Sequence, residues 1–326
     1  MLFFLLRKNP KLYNANTLLI KNYSRSFVNS SKNSVQGNLK QIDNFTSREA
    51  DITYIQEIVK KEAYETYLTS LFSNKGSREA FWAISAFNLE LSKSSTNPLR
   101  PEIALLKLNW WSNNINDIYK GTYLKSPVAR ALYESINKYK ISKMWFTRNI
   151  RARIAYVKGE KFNDIKDVEK YGENTIASTL HAQLETLGVR NINADNGARL
   201  IGQATSIAYL IQNILYMASL NKIEIPLDLV QKVKLTIINR SSPKDLENAI
   251  YDLSCVGFTR LCGASEIYIP NSPKEAIPSL LFGIPIISWY ERLEKSNFNI
   301  YDPKLHRRPF TLPFRIWKAF NKKSFI

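Results

Sequence analysis

Apolar and aromatic residues recur along most of this chain every three or four positions, which is the spacing of a buried helix face. The run from 52 to 72, ITYIQEIVKKEAYETYLTSLF, shows this spacing clearly. Three Ser-Pro pairs, at 126–127, 242–243 and 272–273, are typical helix starts, because serine suits the N-cap and proline suits the first turn. No segment of length alternates with period two, as a strand would. We therefore predict an all-α fold of about nine to twelve helices.

One long segment, residues 200–221, contains no charged residue. As a helix it would span about 33 Å, which is enough to cross a membrane. Gly202, Gln203, Gln212 and Asn213 interrupt its apolar run, however, and amides are costly in lipid unless they are paired. A buried helix inside a bundle explains the same pattern at lower cost. We therefore expect the helix over 200–221 to lie at the centre of the fold.

The N-terminal stretch differs from the rest in composition. Residues 1–42 carry seven basic residues and no acidic one, and they are rich in Ser and Asn. These traits are typical of a mitochondrial presequence. A capping box from Thr46 to Glu49 then marks the start of the first helix. We predict a presequence and flexible linker over 1–45 and a single helical domain over 46–326.

The charge and the rare residues narrow the classes of partner. The net charge is +18, of which +11 remains when residues 1–42 are set aside, and this favours an anionic membrane surface or an acidic partner. Nucleic acid is not expected, because no binding motif appears. Cys255 and Cys262 share a helix face and are predicted to be buried thiols. His181 and His306 lie far apart in the sequence, so no zinc site is expected.

Several stretches, taken in order, resemble the squalene/phytoene synthase family over roughly residues 50–300. REAFWAISAFNLELS, residues 78–92, is similar to the first signature helix of that family, and IGQATSIAYLIQNILYMASLNKIEIP, residues 201–226, is similar to the second. The resemblance implies a helical bundle of the isoprenoid (trans-prenyl) synthase type with a central cavity. In that family, two aspartate-rich motifs hold Mg²⁺ ions that bind the diphosphates of two isoprenoid substrates.

The residues at the motif positions depart from the family pattern. Lys93 and Thr96 stand where the first motif would have acids, and Met217 and Asn221 do so in the second. The resemblance therefore implies no catalytic, cofactor-binding or metal-binding residue, and prenyl condensation is not expected. We expect Glu90 to form a salt bridge with Lys93. The positions that would line the degenerate pocket are Asn88, Glu90, Ser92, Lys93, Thr96, Gln212, Asn213, Tyr216, Met217 and Asn221.

An import signal on such a body resembles a subgroup of the family that assists the assembly of respiratory complex I. This implies a non-catalytic protein, peripheral on the matrix side of the mitochondrial inner membrane, that acts early in membrane-arm biogenesis. Complex I subunits or assembly intermediates would be its partners, and a lipid or isoprenoid could occupy its pocket. The alternative is a metal-independent enzyme or a binding protein for prenyl or lipid substrates. The C-terminal RRPFTLPFRIWKAFNKKSF would either anchor at a membrane interface or pack on the bundle.

Overall fold

The structure is a computed structural model that describes residues 48–95, 100–122, 125–160, 162–219 and 243–325. Every regular element in these ranges is helical, which confirms the predicted all-α fold. Short π-helical segments, Glu173–Ala177 and Ala264–Tyr268, continue two of the helices without a break. The α-helices are α1 (Arg48–Glu62), α2 (Tyr64–Ser70), α3 (Lys75–Ser95), α4 (Pro101–Tyr119), α5 (Pro127–Tyr139), α6 (Lys143–Val157), α7 (Ile165–Gly172), α8 (Ser178–Thr186), α9 (Ile192–Ser219), α10 (Pro243–Gly263), α11 (Ile277–Leu280), α12 (Gly283–Lys295) and α13 (Leu312–Lys322).

Helix α3 lies at the centre of the main hydrophobic cluster. It packs against α1, α2, α4, α5, α6 and α8. Its Phe87 ring makes edge-to-face contacts with Trp111 of α4 and Phe146 of α6, with ring centroids 5.0 and 5.4 Å apart. Such aromatic pairs contribute about 1 kcal/mol each beyond the area that they bury. This cluster fixes the three helices that carry the candidate site.

The Ser-Pro pairs predict helix starts with mixed success. Pro127 is the first residue of α5 and Pro243 is the first residue of α10, as expected. After Ser272-Pro273 the chain forms only a 3₁₀ turn, Lys274–Ala276, before α11 begins at Ile277. The predicted capping box from Thr46 to Glu49 begins outside the described residues.

The structure refines one local expectation and contradicts another. The periodic run over 52–72 is divided at Ala63, whose φ of −133° and ψ of 55° are not helical, so the chain bends between α1 and α2. The two thiols do share one helix, but Cys255 is exposed and Cys262 is half-buried, because the face of α10 that carries them is not covered.

Helix α9 is buried along residues 200–208, which is the first part of the uncharged segment. Gly202 meets Gly172 of α7 there, and the hydroxyl of Ser206 donates to the carbonyl oxygen of Val168 at 2.8 Å. Beyond this point the helix is no longer buried on all sides, because Tyr209, Gln212 and Asn213 are exposed while Ile211 remains buried. Uncharged amides such as these can face either the core or water.

The crossing of α7 and α9 at these glycines gives a first testable prediction. A Cβ atom on Gly172 would lie 2.4 Å from both the carbonyl oxygen of Gly202 and the hydroxyl of Ser206. We therefore expect Gly172→Ala to lower the free energy of unfolding by about 2 kcal/mol, measured by urea denaturation. The control is Gly197→Ala, where the new Cβ would lie at an ordinary 3.6 Å from Leu280 and should not destabilise the chain. Equal effects of the two substitutions would contradict this account.

The chain divides into two compact units, one of residues 46–212 with 225–326 and one of residues 1–45 with 213–224. Of the second unit, the structure describes 213–219, which are the last two turns of α9. The predicted domain boundary at residue 45 remains a prediction. None of the helices in the described ranges combines the length and the apolar character needed to cross a membrane.

Candidate functional site

The degenerate motif positions on α3 lie on two faces of the helix. Asn88, Ser92 and Ser95 are spaced by four and three residues, so they share one face. Glu90 and Lys93 lie on the opposite side. Thr96 lies outside the described residues. The two faces have different polar partners.

The first face contacts a buried arginine from α6. The Arg153 side chain is only 4% exposed. Its guanidinium donates from Nη2 to Asn88 Oδ1 at 2.9 Å and from Nη1 to Ser95 Oγ at 3.0 Å. The guanidinium therefore spans two turns of α3, and Ser92 lies between the two contacts. A fixed cation lies on the face of α3 that includes Asn88 and Ser92.

A buried asparagine from α6 completes this arrangement. The Asn149 carbonyl oxygen accepts a hydrogen bond from Arg153 Nε at 2.8 Å, and its amide nitrogen donates to Asn88 Oδ1 at 3.1 Å. The same nitrogen also lies within hydrogen-bond distance of the backbone oxygen of Thr175, at 3.3 Å, and of Thr179 Oγ1, at 3.3 Å. Thr175 lies in the π-helical segment Glu173–Ala177. Such segments displace the backbone from the regular helical register, and they are frequent at functional sites.

Neutral oxygen atoms surround the guanidinium in the described contacts. Its three hydrogen-bond acceptors belong to Asn88, Ser95 and Asn149, and none of them is a carboxylate. Burial lowers the pKa of the Arg153 guanidinium, whereas the nearby Tyr171 and Tyr209 hydroxyls raise it. Because a guanidinium keeps its proton even after a substantial pKa shift, Arg153 is charged at neutral pH. The α3 face therefore carries a buried positive charge.

The second face of α3 carries a carboxylate, Glu90, that binds a tryptophan side chain. Glu90 Oε2 accepts a hydrogen bond from the indole nitrogen of Trp111 at 3.0 Å. Burial raises the pKa of the Glu90 carboxyl, while the Trp111 hydrogen bond and the charges of Lys93 and Lys107 lower it. Lys93 forms its salt bridge with Glu62 of α1 and not with Glu90, so the expected Glu90–Lys93 pair is wrong. The Lys93 ammonium group therefore lies on the side of α3 that faces the end of α1.

The raised pKa of Glu90 predicts how stability depends on pH. The folded chain binds the Glu90 proton more tightly than the unfolded chain does, so stability falls as pH rises through the interval above the ordinary glutamate pKa. Glu90→Gln cannot titrate, and its side-chain oxygen still accepts from Trp111. We expect this variant to be more stable than the native chain at neutral pH, and the difference to vanish in acid. Thermal unfolding across pH tests this, with exposed Glu102→Gln as the control. A difference that grows in acid would contradict the prediction.

The structure gives less information about the positions predicted on α9. Gln212 and Asn213 are exposed, and Met217 is buried. Tyr216 lies within the helix, and Asn221 lies outside the described residues. In the part of the chain that the structure describes, no three His, Cys, Asp or Glu side chains come together as metal ligands would.

Sequence reasoning did not identify Arg153 or Asn149 as site residues. The signal was present, because the buried stripe of α6 is formed by residues 146, 149, 150 and 153. That spacing places an asparagine and an arginine on a core-facing stripe, where a charged residue is unusual.

The comparisons with known proteins decide the family. The family model of squalene/phytoene synthase matches residues 59–315. The chain belongs to the squalene/phytoene synthase family. Its similar relatives include a Homo sapiens protein named "NADH dehydrogenase (ubiquinone) complex I, assembly factor 6", which is 26% identical over 83% of this chain and 82% of the relative. A Dictyostelium discoideum protein, described as a homolog of that factor, is 29% identical over 93% of this chain and 92% of the relative.

Solved structures of squalene/phytoene synthase relatives support the fold. A dehydrosqualene synthase superposes with a TM-score of 0.72, at 15% identity, over 85% of this chain and 98% of that one. The squalene synthase HpnC from Alicyclobacillus acidocaldarius gives a TM-score of 0.65, at 15% identity, over 77% of this chain and 96% of that one. The predicted isoprenoid synthase type of helical bundle is confirmed.

Proposed function

We propose that this chain is a non-catalytic mitochondrial assembly factor for respiratory complex I. The observation that carries this proposal is the similarity to proteins named complex I assembly factor 6, which align over 80% or more of both chains. A match of that length covers most of the chain, so a shared local motif is not its source. The partners would be complex I subunits or assembly intermediates.

The buried guanidinium supports the non-catalytic part of the proposal. Magnesium requires oxygen ligands, mostly carboxylates and water, whereas Arg153 places a positive charge against Asn88 and Ser95 of α3. A divalent ion within about 6 Å of that charge would be repelled by roughly 5 kcal/mol at an effective dielectric constant of 20. Lys93 is a positive charge on the opposite side of α3. The face of α3 that contacts Arg153 therefore does not suit Mg²⁺.

Deletion of the gene tests the assembly role. Cells without this chain should contain less assembled complex I on native gels, while respiratory complexes III and IV remain normal. Expression of the full chain should restore complex I, whereas a chain without residues 1–45 should fail to reach the mitochondrion. Normal complex I in the deleted cells would overturn the proposal.

The finer parts of the proposal concern place and timing. We place the protein at the matrix side of the inner membrane, held peripherally, and acting early in membrane-arm biogenesis. Its loss should therefore reduce membrane-arm intermediates first, while matrix-arm intermediates still form. Protease protection and carbonate extraction of isolated mitochondria test the location, because a peripheral matrix protein is protected from protease and released by carbonate.

Arg153 also favours one alternative function. A buried guanidinium is a good partner for phosphate or diphosphate, so a metal-independent enzyme or binding protein for prenyl or lipid substrates is the second candidate. Incubation with farnesyl or geranylgeranyl diphosphate, with and without Mg²⁺, distinguishes the two. The assembly factor should give no condensation or hydrolysis product in either condition. Product formation that requires Arg153 would establish the alternative.

A further inference from the structure

The C-terminal helix α13 is fixed to the bundle by its inner face. Leu312, Ile316 and Ala319 are buried at helical spacing. Arg315 forms a two-pronged ion pair with Glu291 of α12, with N–O distances of 2.5 and 2.7 Å. Just beyond the helix, Phe325 is buried against Gly283. The orientation of α13 is therefore set by contacts on one side, and its outer side is presented in a fixed position.

That outer side is aromatic. Phe314 is 63% exposed and Trp317 is 54% exposed, and their rings stack at a centroid distance of 5.7 Å. Phe310, in the segment just before the helix, is 94% exposed. Single exposed apolar residues are common, but three large exposed aromatic side chains within eight residues, two of them stacked, indicate a partner.

The segment that carries these aromatic residues has charges of one sign, although Arg308 and Arg315 are paired with Glu65 and Glu291 from elsewhere in the chain. Residues 303–325 include seven basic residues and no acidic one. Arg307, Lys318 and Lys322 are exposed, and both lysines lie on α13 beside Phe314 and Trp317. An amphipathic helix with aromatic residues and lysines on its open side is typical of binding at an anionic lipid interface.

We propose that Phe310, Phe314 and Trp317, with Arg307, Lys318 and Lys322, form a docking surface for an anionic lipid bilayer. We refer to these six residues as the aromatic–basic surface. The aromatic rings would insert at the level of the headgroups, and the basic side chains would contact the lipid phosphates. This inference rests on the proposed function only for the identity of the membrane, which would be the mitochondrial inner membrane. The sequence left two alternatives for this segment, an interfacial anchor or a tail packed on the bundle. Both apply, because α13 packs on the bundle by one face and presents the other face to lipid.

Tryptophan quenching by brominated lipids tests the position of the contact. The full chain is mixed with vesicles of brominated phosphatidylcholine and phosphatidylglycerol. Trp110, on α4, is 47% exposed and is the matched control for Trp317. We expect Trp317→Phe to lose most of the lipid-dependent quenching while it keeps its affinity, and Trp110→Phe to retain the quenching. A basic segment elsewhere, such as residues 1–42, could bind vesicles without quenching Trp317. Unchanged quenching in Trp317→Phe would therefore overturn the proposal.

Vesicle flotation tests how much the aromatic–basic surface contributes to membrane affinity. The triple variant Phe310→Ser, Phe314→Ser and Trp317→Ser should lower the bound-to-free ratio on anionic vesicles by about tenfold or more. Leu106→Ser, which removes a 70% exposed side chain from α4, should leave the ratio unchanged. The double variant Lys318→Gln and Lys322→Gln should weaken binding on anionic vesicles but not on pure phosphatidylcholine. Circular dichroism checks that the variants fold. Equal flotation of the triple variant and the native chain would refute the surface, as would a preference of the native chain for a purified acidic matrix protein over vesicles.

The vesicles contain no complex I, so the result of this test does not depend on whether the chain assists complex I assembly. A chain that supports complex I assembly but does not bind through these residues would disprove the docking surface alone. A chain that binds in this way but has no effect on complex I would disprove the assembly role alone.

Discussion

Gly257→Ala is expected to lower the free energy of unfolding by about 3 kcal/mol, because no space remains for a methyl group between α10 and α12. A Cβ atom at this position would lie 2.0 Å from the hydroxyl oxygen of Tyr290 and 2.6 Å from its Cζ atom. The Tyr290 ring is buried, and its hydroxyl donates to the carbonyl oxygen of Ala204 on α9 at 2.9 Å. The ring therefore cannot move without the loss of a buried hydrogen bond between helices.

Urea denaturation measures this effect, and Gly263→Ala on the same helix is the control. A Cβ atom on Gly263 would lie 3.4 Å from Leu200, which is an ordinary contact, so that variant should be as stable as the native chain or up to about 1 kcal/mol more stable. Combining Gly257→Ala with Tyr290→Phe removes the closest clash, and the pair should cost about 1 kcal/mol less than the sum of the single changes. Strictly additive costs would show that Tyr290 is not the obstacle.

The helical period of the sequence predicts which faces are buried, but it does not predict their limits. The spacing of Leu312, Ile316 and Ala319 predicts a packed face for α13, and the structure has that face. The uncharged segment 200–221 shows the opposite case, because continuous burial ends at residue 208 although no charge appears until Lys222. Gln and Asn side chains are compatible with both the core and water, so their presence does not mark the boundary.

The candidate site shows a second reason for incomplete prediction. The family resemblance directs attention to the signature positions on α3, and Asn88 is among them. It says nothing about Arg153, which comes from α6 and lies 65 positions further along the chain. Local patterns treat an arginine as a surface residue. Only the packing of α3 against α6 shows that this guanidinium is buried and that neutral oxygen atoms surround it.

The contact between Asn88 and Arg153 leads to the second large prediction. Asn88→Leu should lower the free energy of unfolding by about 3 kcal/mol, because the buried guanidinium would lose the acceptor of its Nη2 hydrogen bond and Asn149 would lose one acceptor. Ser92→Ala, on the same face of α3, removes a hydroxyl but neither of these acceptors, so its cost should be much smaller. Urea denaturation at neutral pH compares the two.

Asn88→Asp is the variant that separates the charge of Arg153 from the shape of the site. It keeps the acceptor oxygen and adds a negative charge beside the guanidinium, so it should be at least as stable as the native chain at neutral pH. The guanidinium would hold the pKa of that aspartate below its usual range in the folded chain. Its stabilising contribution is therefore present above the ordinary aspartate pKa and is lost as pH falls through the lowered value. Because Arg153 remains in place, the aspartate should not create a Mg²⁺ site, and isothermal titration should detect no saturable binding. A stable Asn88→Leu chain, or an Asn88→Asp chain that is destabilised at neutral pH and recovers in acid, would mean that no charged guanidinium lies against α3.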